Sequence, residues 1–140
     1  MKYSALILVI AAILFGIIGC AARKQVSVEN HLNGTWELNF ISGKRIAFEG
    51  LYPNKKPQIT FDLRKNEIRG NSSCNGFSCK YTMDKSTIKF GDPMGTMMAC
   101  GGSGEEDFYK MLKRVNNYSV DITTLTFLID DVAMMRFAKK

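Results

Sequence analysis

The chain has 140 residues, 46% of them hydrophobic, and a formal net charge of +6. That is too apolar for a disordered chain, and beyond its N-terminal segment it leaves about 110 residues, enough for one domain and too few for two. The basic residues are spread along the sequence, as on a solvated face, which argues against a nucleic-acid binder.

Lys2 is the only charge before Arg23, and residues 5–18 are apolar apart from Gly16. Residues 5–22 could span a bilayer as a helix. The short charged start, the apolar run and the small residue before Cys20 instead resemble a secretory signal, and Ile17-Ile18-Gly19-Cys20 resembles a bacterial lipobox. The resemblance implies a signal peptide at 1–19 and a diacylglyceryl group on Cys20, leaving 18 lysines and arginines against 13 acids. Ala21 after the cysteine suggests an outer-membrane protein facing the periplasm. Residues 20–31 read as a tether reaching at most roughly 35 Å, and 32–140 as the domain.

Within the domain, residues 35–41 alternate with Trp36, Leu38 and Phe40 on one face, the pattern of a half-buried strand. Gly43-Lys44 turns the chain, residues 45–49 form a short return strand, and 50–57, with two prolines, a loop. Residues 58–63 alternate again, Arg64-Lys65-Asn66 turns, and 67–74 follow as a strand. Asn75-Gly76 is a strong signal for a two-residue hairpin turn, and it predicts that Cys74 pairs with Phe77, Ser72 with Cys79 and Gly70 with Tyr81. This register puts Ile68, Gly70, Ser72, Cys74, Phe77, Cys79, Tyr81 and Met83 on one face. A turn at Asp84-Lys85 leads to a strand at 87–90.

The period then changes. Phe108, Met111, Leu112 and Val115 form an i, i+3, i+4, i+7 stripe on a helix within 103–116. Ser103 and Glu106 suit a capping box, while Glu105, Glu106 and Asp107 complement the dipole. Strands at 118–122, 125–129 and 132–137 close the chain. The fold class is mainly β (α+β): a small antiparallel barrel-like meander of about eight strands, with one helix inserted before the last three.

Cys74, Cys79 and Cys100 are the domain's cysteines. Cys74 and Cys79 lie diagonally in the predicted hairpin, near the distance limit for a disulfide, so Cys100 is the better partner for one of them. Two metal readings stand beside this. One joins the three cysteines to His31; the other uses Met94, Met97, Met98 and Cys100 as soft ligands. The neutral reading of those methionines is core packing. With one histidine ahead of the domain, nucleophilic catalysis lacks a base, and no enzyme or cofactor is expected.

The run Gly70, Cys74, Asn75, Phe77 and Tyr81 resembles the signature of the META domain, the family of HslJ-like envelope proteins. Trp36-Glu37-Leu38, Pro57 to Phe61, the Thr96, Met98, Cys100 element and Glu106-x-Phe108 follow the same family pattern in order. The resemblance implies a small barrel with one helix and a Cys74–Cys100 disulfide. Cys79 departs from the family pattern and stays an alternative partner for Cys100. The expected role is a non-enzymatic envelope lipoprotein supporting envelope integrity or stress resistance, attached through its lipid and binding a partner protein or a small apolar ligand. The alternatives are a lipid carrier or a cysteine–methionine metal protein.

Overall fold

Alternating apolar residues with short polar turns build a closed antiparallel sheet. The computed structural model describes residues 31–43 and 45–140. The lipobox-like run, Cys20 and the tether up to Asn30 lie outside the described residues, as does Lys44. Among the described residues the strands are β1 (Thr35–Ile41), β2 (Gln58–Asp62), β3 (Glu67–Asn71), β4 (Gly76–Asp84), β5 (Thr87–Phe90), β6 (Met94–Gly95), β7 (Asn117–Val120), β8 (Thr124–Ile129) and β9 (Val132–Lys139). Helix α1 (Phe48–Leu51) follows β1, and α2 (Gly104–Arg114) precedes β7.

The sheet runs β3-β2-β1-β9-β8-β7-β5-β4-β6, and β3 also pairs with β4. Eight strands therefore close into a barrel, and β6 is an extra strand laid along the start of β4. Closure removes the free edges an open sheet would expose. The register shifts between Leu38 and Phe40 and between Phe127 and Leu128, where bulges add the curvature that a barrel needs. The β5–β7 seam is the narrowest, one ladder pair between Thr87 and Asn117.

Trp36, Leu38, Ile59, Ile68, Phe127 and Phe137 point inward and are fully buried. Phe127 meets Phe90 and Phe137 edge-on, and Tyr81 meets Phe61 and Phe90 in the same manner, so aromatic side chains fill the barrel. Helix α2 buries Phe108, Met111 and Leu112, as its stripe requires, with Phe108 against Phe77.

Four expectations need correction. Phe40, expected on the face of Trp36 and Leu38, is exposed, because the register shift after Leu38 turns it outward and buries Ile41 instead. Residues 45–49 do not form a strand; Phe48 and Glu49 instead begin the short helix α1. Ser103 makes no side-chain cap; its hydroxyl donates to Asp107 Oδ2 at 2.8 Å, while Glu106 pairs with Lys110. The central hairpin does not turn at Asn75-Gly76. Asn71 pairs with Gly76, Gly70 with Phe77 and Ile68 with Cys79, so residues 72–75 form a longer loop in which Ser73 takes the positive φ, 95°. The slip is four residues, an even number, so the inward face stays as the alternation sorts it.

Candidate functional site

The longer loop exists because Asn75 is engaged elsewhere. Its side chain is buried, and all of its hydrogen-bonding groups are used. Oδ1 accepts from the Met98 backbone N–H and from Thr96 Oγ1, both at 2.8 Å. Nδ2 donates to the Met98 carbonyl at 3.1 Å and to Glu105 Oε2 at 2.9 Å. One amide thus joins the 72–75 loop, the segment after β6 and the first turn of α2.

Ser72, fully buried, donates to Glu105 Oε1, and the Asn75 carbonyl accepts from its backbone N–H at 2.9 Å. Cys74 and Cys100 add a covalent link between the same two segments, with Cα atoms 6.2 Å apart, inside the range that a disulfide spans. Cys79 is not part of it: it is a buried free thiol on β4, 3.4 Å from the Gly91 carbonyl, and burial pushes its pKa up to about 11.

Two glycines permit the close approach of the surrounding chain. A Cβ on Gly70 would stand 1.8 Å from the Gln58 carbonyl oxygen, so β3 and β2 require a residue without one. A Cβ on Gly104 would stand 2.4 Å from the Leu51 carbonyl oxygen; with glycine there, Tyr52 donates its hydroxyl to the Gly104 carbonyl at 3.0 Å. Burial pushes the Tyr52 phenol well above its ordinary range. Phe77 lies edge-on to both Phe108 and Tyr109, which fixes β4 against α2. Tyr81, four positions on and on the same face of β4, belongs to the barrel interior.

These elements frame a cleft of about 750 Å³. Its walls include Leu51, Pro53, Met97, Met98 and Tyr109, and the disulfide, Asn75 and Glu105 also line it. Met97 is 98% exposed and Met98 59%, so these side chains form a rim rather than core packing. Burial raises the Tyr109 phenol pKa.

The structure brings Cys74, Asn75, Thr96, Met98 and Cys100 into one joint, with Gly70 and Phe77 supporting it. It does not assemble the three cysteines with His31. Cys79 stands in the barrel wall, and the His31 carbonyl accepts from Lys139 at the opposite end of β1. Cys74, Cys100 and Glu105 offer ligand atoms within 4.8 Å of one another, but the two sulfurs are bonded to each other. Glu105 stands in the first turn of α2, as its dipole reading expects, but its second role went unread: it is also the anchor for Ser72 and Asn75. Those partners lie 33 and 30 residues away, so no local pattern marks it.

The same barrel is found in solved structures. A protein from Burkholderia xenovorans, determined by NMR, superposes with a TM-score of 0.64 at 18% identity, over 82% of this chain and 87% of that one. A DUF4847-family protein from Bacteroides vulgatus, solved by crystallography, gives 0.59 at 18% identity, over 80% of this chain and 96% of that one. At such identities the likeness is one of fold. A search of curated proteins gave no match. The META domain family profile matches residues 28–140, most of the chain and all nine strands, and with that match the chain belongs to the META domain family.

Proposed function

We propose that this protein is a non-enzymatic lipoprotein of the cell envelope, held by acylated Cys20 in the outer membrane and facing the periplasm, which supports envelope integrity or stress resistance by binding a partner in the cleft beside the Cys74–Cys100 disulfide. The observation that carries the reading is the placement of the cleft. The chain enters the barrel at the start of β1, where Lys139 bonds the His31 carbonyl and Lys140 the Thr35 carbonyl. The cleft lies beyond the other end of the sheet, past Asn71 of β3 and Gly76 of β4. A barrel tethered at the first end presents the second away from the membrane.

The chemistry of the cleft also favours binding over catalysis. Its central carboxylate, Glu105, is anchored by Ser72 and Asn75, and the described lining residues include no histidine, lysine or free thiol to serve beside it as base or nucleophile. A carrier holding an acyl chain inside the barrel is disfavoured, since aromatic rings occupy that space.

The test has two parts. Protein extracted from its membrane should have the mass of residues 20–140 plus acyl groups, and Cys20→Ser should abolish acylation; an unprocessed mass removes the anchor from the reading. Met97→Asp on the exposed rim should fail to complement an envelope-stress phenotype of the deletion strain at unchanged protein level. Full complementation by this variant would overturn the binding role of the cleft.

A further inference from the structure

We propose that the cleft takes an extended peptide segment that places a lysine or arginine side chain over Glu105, with apolar neighbours on the methionine rim. The inference deepens the binding role argued above and is independent of the lipid anchor. It starts from a charge contrast. The chain carries a formal +6, yet none of the described residues lining the cleft is Lys, Arg or His, whereas Glu105 and Glu106 both line it.

The two carboxylates differ. Glu106 is paired with Lys110 at 2.6 Å, as Glu37, Asp62, Glu67 and Asp92 are paired with lysines or arginines elsewhere. Glu105 has no basic partner among the described residues: its two oxygens receive the Ser72 hydroxyl and the Asn75 amide, with the Tyr109 phenol beside them, all three neutral groups. A carboxylate offers roughly four acceptor sites, so room remains for a further donor. Half-buried at the edge of a cleft, the charge is less screened than one on the open surface, and a cation there gains more from it.

The walls select what carries the cation. Leu51, Pro53, Tyr109 and the thioethers of Met97 and Met98 present apolar surface suited to the aliphatic stem of lysine or arginine and to neighbouring side chains. Methionine rims adapt to varied apolar partners, which suits a peptide better than one rigid small molecule. Met97 and Met98, 98% and 59% exposed, are the surfaces such a segment would cover.

The experiment uses full-length protein in detergent, carrying 13C-methyl methionine and titrated with a hexapeptide of alternating lysine and alanine, with glutamate-for-lysine and serine-for-lysine counterparts. The lysine peptide should shift the Met97 and Met98 methyl signals saturably while leaving Met135, fully buried in the barrel, unmoved. The glutamate peptide should bind roughly tenfold more weakly or worse, and raising the salt should weaken the lysine peptide. Glu105→Gln should reduce affinity; because it could disturb the joint, Asn54→Lys on the exposed rim, with an unchanged melting temperature, serves as the second variant and should reduce it as well. Equal binding of all three peptides would overturn the cationic specificity while leaving the cleft a binding site. Absence of any shift at Met97 and Met98 would overturn the proposal outright.

Discussion

In the barrel wall, Phe127 meets Phe90 at 5.2 Å and Phe137 at 5.3 Å, and all three are apolar side chains brought inward by strand alternation. At the cleft end, Asn75, Ser72, Thr96 and Glu105 hold together loops that make few ladder pairs, through hydrogen bonds spanning 21 to 33 residues and one disulfide. The wall is redundant and non-directional, since each ring has several neighbours and the hydrophobic term scales with buried area. The joint is directional and finite: each donor has one acceptor, and removing a group leaves its partner buried without a replacement. A protein built in this manner can lose order at its cleft end while its barrel stays folded.

The sharpest test of that contrast is Phe127→Ala. Removing a fully buried ring from the wall should cost about 3–5 kcal/mol and lower the unfolding midpoint of the entire domain, with no separate transition for the cleft end. Protection lost only around residue 127 in hydrogen exchange would contradict a single cooperative wall.

Next comes the disulfide. Closing a loop with a sequence separation of 26 stabilises by about 3.5 kcal/mol in the chain-entropy picture. Replacing Cys74 and Cys100 together by alanine should therefore lower stability by that order, but with a different spatial signature: amide exchange should accelerate first at Ser72 to Asn75 and at Thr96 to Met98. Uniform acceleration across β1, β8 and β9 would show that wall and joint are one unit.

Asn75→Ala follows, at about 1–3 kcal/mol, because the Met98 N–H and one Glu105 oxygen lose their partner. Asn75→Asp sharpens the point. It keeps the shape but sets a second carboxylate where the Asn75 amide now lies 2.9 Å from Glu105, so its deficit should shrink as the pH is lowered and one of the two acids protonates. A deficit independent of pH would mean that Glu105 does not face residue 75.

The same contrast explains what could be read from the sequence. The wall was legible because alternation is local: β2, β5 and β8 begin and end within a residue or two of where their apolar residues place them, and the turns carry Asn66, Lys85 and Asp130 at positive φ. The joint was legible only through the family resemblance, which names Cys74, Asn75, Thr96, Met98 and Cys100 but not the hydrogen bonds among them or Glu105. Asn75-Gly76 carries the local signal of a tight turn, but the amide is worth more to Thr96, Met98 and Glu105 than to a two-residue loop, and those partners are distant in sequence. Tertiary hydrogen bonds overrode turn propensity. The stretch preceding α1 failed for a related reason: Leu51 and Tyr52 are drawn toward the start of α2 by the glycine at 104, which nothing near residue 48 announces.

The smallest expected effect belongs to Cys79, which sits on β4 close to both regions yet takes part in the wall alone. Its thiol is buried and donates to the Gly91 carbonyl at 3.4 Å, and burial pushes its pKa from 9.0 to about 11. The folded state thus holds the proton more tightly than the unfolded state. The contribution is fully present below pH 9 and is lost as the pH rises through about 11. Wild type should therefore lose stability relative to Cys79→Ala between these two values, and the difference should be flat below pH 8. Native protein should also resist thiol alkylation at pH 8 and react only once unfolded. If Cys79 instead reacts readily in the native state while the Cys74–Cys100 pair stays oxidised, the wall at β4 opens more easily than the joint, and the order of the two regions is reversed.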